Sequence, residues 1–73
     1  MIEKKDLENR FTYHPPTITQ QQKYENIRKN LKWIAELINE MCPDSREKSL
    51  AITHLEEVSF WSNASIARNE NGN

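Results

Sequence analysis

Three groups of residues have types and spacings suited to holding a flat, anionic ligand. Tyr13 and His14 are adjacent and precede Pro15 and Pro16, so two rings ride on a stiff segment and can stack on a base. Arg28 is followed by Lys29 and then by Lys32; a guanidinium flanking the packing stripe of a helix can grip a phosphate with two parallel hydrogen bonds. Trp61 and Arg68 stand seven residues apart and share a helix face. Between them, Ser62, Asn63, Ala64 and Ser65 keep the surface low enough for a base or a backbone to approach. Each group also has a plainer reading. The rings can simply cover a core, and Arg28 can be a solvated charge paired with Glu25 or Glu36. The small residues can serve close helix packing, with Arg68 favouring a helix C-terminus.

Bond-breaking chemistry has less support. Serines and two histidines are present, but no nucleophile elbow accompanies them, and the single glycine, Gly72, leaves no phosphate-cradling loop. Glu56 with Glu57, and Glu36 with Glu40, read as solvated helix faces rather than acid–base pairs. Cys42, His14 and His54 are the only sulfur and imidazole ligands, and no two are three or four residues apart, whereas structural zinc takes four ligands and catalytic zinc three. Cys42 therefore reads as a partly buried small hydrophobe and His54 as a surface residue. The expectation is a binding protein with no catalytic residues, no metal and no cofactor.

The elements that must position these groups follow from periodicity. Residues 3–9 make a short N-terminal helix of one or two turns with Leu7 as its apolar anchor, and residues 10–16 make a stiff, non-helical arm. The first long helix is expected over 19–41, opened by a capping box of Thr19 and Gln22. Its apolar residues, Tyr24, Ile27, Leu31, Ile34, Ile38 and Met41, alternate in steps of three and four, the seam of a coiled-coil-like helix. Pro43 ends it, because the residue before a proline is pushed out of the α region. Asp44 or Ser45 caps a second long helix over 46–68, and Asp44 with Glu47 repeats the capping-box pattern. The link is so short that the two helices must run antiparallel. Residues 69–73 are polar and expected to fray.

On the second long helix, Ala51, Leu55 and Val58 form one stripe that continues through Ser62 and Ser65. Leu50, Ile52, Phe60, Trp61, Ala64, Ile66 and Ala67 spread over its other faces, and Trp33 lies off the seam of the first. A helix apolar nearly all round is buried on more than one side. A chain of 73 residues with one cysteine has no internal disulfide to compensate for a small core, so the reading is an all-α hairpin that self-associates. Ten basic and eleven acidic residues leave a net charge of −1, without the basic excess that non-specific DNA or RNA binding requires. No apolar run has the length of a membrane span and no signal peptide opens the chain, so the protein is expected to stay soluble where it is made.

Two stretches also carry a family likeness. Arg10-Phe11-Thr12-Tyr13-His14-Pro15-Pro16 resembles the opening motif of the bacteriophage anti-CBASS sponges. So does the block from Cys42-Pro43-Asp44-Ser45-Arg46-Glu47-Lys48-Ser49-Leu50-Ala51 through Leu55-Glu56-Glu57 to Phe60-Trp61-Ser62-Asn63-Ala64-Ser65-Ile66-Ala67-Arg68. The hairpin is similar to that of the anti-Thoeris sponges. The resemblance implies a homohexamer in the cytoplasm of the infected host. It would sequester cyclic oligonucleotide messengers without cleaving them, so that CBASS effectors are not activated. Cyclic dinucleotides such as 3′,3′-cGAMP would sit between protomers, and cyclic trinucleotides in separate pockets. It further implies that Tyr13 stacks on a base, that a basic residue of the first long helix holds phosphate, and that Arg68 serves the trinucleotide pocket. Spacing from the arm places the phosphate role on Arg28, with Lys29 and Lys32 as alternatives; His14 and Asn63 complete the candidate set. Ser62 and Ser65 stand where alanine is expected in relatives, which adds hydroxyls. A longer type carries a β-rich domain for cyclic ADP-ribose derivatives; 73 residues leave no room for it, which favours the CBASS type. The competing reading from another class is a helical adaptor that binds a protein through exposed aromatics, Trp33 and Trp61 among them.

Overall fold

A computed structural model describes residues 1–70 and contains three helices in the order α1 (Lys4–Phe11), α2 (Ile18–Met41) and α3 (Arg46–Asn69). Helices α2 and α3 pack along their length as the antiparallel hairpin that the short link demands. The short first helix runs two residues further than its expected end, so the non-helical arm is residues 12–16. The prolines restrict only their immediate neighbours, and an Asp6–Arg10 ion pair at 3.0 Å, one turn apart, supports the extra turn.

Helix α2 starts earlier than expected. Its capping box is Thr17 with Gln20: the Thr17 hydroxyl accepts from the Gln20 N–H at 3.1 Å, and the Gln20 side chain accepts from the Thr17 N–H at 3.1 Å. Thr19 and Gln22 satisfy the same sequence pattern. Starting at Thr17 gains the Gln21 N–H to Thr17 carbonyl bond (2.9 Å) and extends the seam one turn, to Gln20, which is only 4% exposed. At the other end Cys42 is extended, as the residue before a proline should be, and donates its N–H to the Ile38 carbonyl. Cys42 itself is exposed at the turn rather than partly buried, because the chain leaves the helix there and nothing packs over it.

Ser45 caps α3 by accepting from the Lys48 N–H at 3.1 Å. Asp44 forms no capping box; its carboxylate takes the Lys48 ammonium at 3.0 Å, and that ammonium also donates to the Asn39 carbonyl at 2.9 Å, tying the two helices across the turn. At the far end, Lys23 and Glu70 form an ion pair at 2.8 Å. Helix α3 runs one residue past its expected end, into the stretch expected to fray: Asn69 is helical and the Glu70 N–H bonds to the Ile66 carbonyl. Residues 71–73 lie outside the described residues.

The α2 seam holds as expected from Tyr24 through Ile38, all half-buried, whereas Met41 is exposed at the open turn. The α3 stripe needs correction. Val58 and Ser65 are exposed, and the half-buried line is Ile52, Leu55, Ser59, Ser62 and Ile66. Both lines have steps of three and four. The one that packs carries small serines at its middle, which let the helices approach, and isoleucines at its ends.

The described chain is a slab of 45 × 34 × 13 Å. Its thickness is close to the ~10–12 Å of a single helix with side chains, so only one layer exists. The radius of gyration is 15.6 Å, against about 11 Å for a compact chain of this length. Among the described residues no apolar side chain is fully buried, and Trp33, Phe60 and Trp61 are each more than 60% exposed.

Candidate functional site

Two cavities adjoin the place where the arm crosses the open end of the hairpin. The larger, about 670 Å³, lies against α1 and is lined by Glu3, Lys5, Asp6, Glu8, Asn9, Thr12, His14 and Arg68. Three carboxylates face two cations there, so an anion gains nothing by entering. The smaller, about 410 Å³, lies between the arm and the two long helices. Arg28 and Arg68 are on its wall with His14, Tyr24, Asn63, Ala64 and Ala67, and no carboxylate is among them. Neither guanidinium forms an ion pair with any described residue. Two cations with no carboxylate partner among the described residues give this groove a charge that suits a phosphate-bearing ligand.

Local structure explains the gathering. Residues Tyr24 and Arg28 are four apart on α2 and lie one above the other; Asn63, Ala64, Ala67 and Arg68 make the same kind of patch on α3. The alanines keep the floor low. His14 is held over the groove by its ring: Nε2–H donates to the Asn9 carbonyl at 2.8 Å. The donor role follows from the acceptor, since a carbonyl offers no proton. The Asn63 side-chain oxygen is buried without a hydrogen-bond partner, an unused acceptor inside the groove wall.

Of the six candidate residues, the structure brings four to this groove: His14, Arg28, Asn63 and Arg68. Tyr13 projects from the arm and is 78% exposed, and Lys29 is exposed on α2 outside the groove wall. Lys32 is likewise outside it, so of the three basic residues considered for phosphate only Arg28 faces the groove. Arg28 and Arg68, assigned to different ligands above, share one groove within a single chain, and Arg68 borders the larger cavity as well. Periodicity marks Tyr24 only as a seam residue, yet its ring is part of the groove wall; its spacing of four from Arg28 is the signal in the sequence. Among the described residues, no three His, Cys, Asp or Glu side chains gather as a metal ion would need.

The model of one protein family, the Acb2/Tad1 hairpin domain, matches residues 3–67. The chain belongs to that family. No curated protein and no solved structure matches the chain. Acb2/Tad1 hairpin proteins are the anti-CBASS and anti-Thoeris sponges, phage proteins of a non-enzymatic type that bind cyclic nucleotides. The match takes in α1, the arm, all of α2 and α3 as far as Ala67, so the groove is built almost wholly from the Acb2/Tad1 hairpin itself. No described helix is long and apolar enough to cross a membrane.

Proposed function

We propose that this protein is a non-catalytic sponge for cyclic dinucleotides of the 3′,3′-cGAMP type, acting in the cytoplasm of the infected bacterium to keep CBASS effectors from being activated. The observation that carries the reading is the groove in which Arg28 and Arg68 stand with no carboxylate beside them among the described residues, in a chain of the Acb2/Tad1 family. A cyclic dinucleotide offers two phosphates and two flat bases. In this reading Arg28 takes phosphate in a bidentate grip, and Tyr13, free on the arm, closes over a base together with Tyr24 and His14. Arg68, which faces both cavities, is the anchor for cyclic trinucleotides in a site completed by neighbouring protomers.

The working form is a homo-oligomer, and the family likeness points to a hexamer. Its support is the single-layer slab: a chain with Trp33, Phe60 and Trp61 exposed lacks the second layer against which helices bury their apolar faces. The same exposed aromatics are what a protein-binding adaptor would use. The two readings separate cleanly, because an adaptor would tolerate Arg28→Ala.

Titration calorimetry with 3′,3′-cGAMP and with cyclic triadenylate, followed by denaturation and identification of the released nucleotide, tests the proposal. Saturable binding with intact nucleotide recovered is expected. Absence of binding to any cyclic oligonucleotide would sink the sponge reading, and recovery of a linear product would replace it with hydrolysis.

A further inference from the structure

Helices α1 and α3 and the arm are joined by two hydrogen bonds that meet at one residue, Asn9. Its side-chain amide donates to the Arg68 carbonyl at 3.4 Å across 59 residues of sequence, and its own carbonyl accepts from the His14 ring at 2.8 Å. Both acceptors lie in the last turn of a helix, where carbonyls have no intrahelical partner. Asn9 thus caps α3 from outside, and His14 caps α1. Helix α1 has little of its own to hold it in place: it has eight residues, no side-chain N-cap and no buried residue. A helix of that length is unstable alone.

We infer that Asn9 is a positioning residue for the basic groove, pinning α1 to the end of α3 and thereby fixing both His14 and the backbone that carries Arg68. The inference rests on the sponge reading of that groove for its functional consequence, though not for its geometry. Loss of the pin frees the arm, so a bound nucleotide escapes faster while the long hairpin remains intact.

The test compares Asn9→Ala, Asn9→Asp and Asn9→Gln. Aspartate has nearly the shape of asparagine without the donor; glutamine keeps the amide donor. Two readouts are used: the His14 ring signals by NMR in ligand-free protein, and the dissociation rate of 3′,3′-cGAMP. In the alanine and aspartate variants the His14 signals should move and dissociation should quicken by about 2- to 10-fold, the worth of one hydrogen bond. Amide-exchange protection of α2 and α3 should stay as in the unaltered protein, and Asn9→Gln should restore most of both readouts. Unmoved His14 signals in the alanine and aspartate variants would overturn the inference, and so would a glutamine variant as impaired as alanine. If the unaltered protein binds no cyclic oligonucleotide, the sponge reading falls, and the His14 signals alone decide whether Asn9 is the pin.

Discussion

Arg28 is an exposed arginine on a helix with several other cations, and its neighbours decide what distinguishes it. Lys23 is engaged by Glu70 and Arg10 by Asp6, and Lys48 is held between Asp44 and Asn39. Arg28 instead faces a groove wall that, among the described residues, offers it no carboxylate. Replacing it with alanine should weaken cyclic dinucleotide binding by roughly ten- to a hundredfold, the worth of charge-assisted hydrogen bonds to phosphate. Calorimetry on the variant would show this, with assembly state unchanged as the control. Arg28→Lys should recover only part of the loss, because an ammonium is a point charge that cannot reproduce the planar fork. The same measurement on Lys29→Ala should show little change, since that side chain lies outside the groove; equal losses at both positions would mean that charge alone, not the groove, attracts the ligand.

At the scale of the element, α2 sets the position of Tyr24 and Arg28, and its start is fixed by a reciprocal cap at Thr17 and Gln20. Thr17→Ala removes an N-cap hydroxyl and should cost about 1 kcal/mol, lowering Tm by about 4–8 °C for a chain of this size. The comparison must be made at one protomer concentration, since self-association shifts apparent stability. Thr19→Ala, on the exposed first turn, should change stability by no more than about 0.5 kcal/mol. Thermal melts of the two variants side by side would decide which threonine opens the helix; a larger loss at Thr19 would contradict the observed cap.

At the scale of the molecule, the unfilled second layer is the dominant fact. A slab one helix thick, with no fully buried apolar side chain among the described residues, cannot obtain ordinary domain stability from its own contacts. Trp61→Glu and Trp33→Glu place a charge on faces that neighbouring copies are expected to cover. Analytical ultracentrifugation should find one or both variants reduced to smaller species, with nucleotide binding lost alongside. Variants that keep the mass of the unaltered protein would leave those faces free for another partner and favour the adaptor.

Much of this protein was written in residue pattern. The three-four alternation from Tyr24 to Ile38, the stop at Pro43 and the short link make an antiparallel hairpin by local rules alone, because backbone hydrogen bonding and proline sterics act over a few residues. The arm motif and the block through Arg68 carried the family. What sequence could not decide was the choice between equivalents. Thr17 and Thr19 fit the same cap; the lines through Leu55 by way of Val58 or of Ser59 have the same period; Arg28, Lys29 and Lys32 carry the same charge. Only the tertiary structure resolves such ties, since the winner in each case depends on contacts with residues far away in sequence. Gln20 must reach the seam for Thr17 to win, and α2 must lie against Ser59 and Ser62. The groove must close between α2, α3 and the arm before one cation differs from the next. The bond from Asn9 to Arg68 belongs to the same class. It joins two helix ends that no local pattern connects.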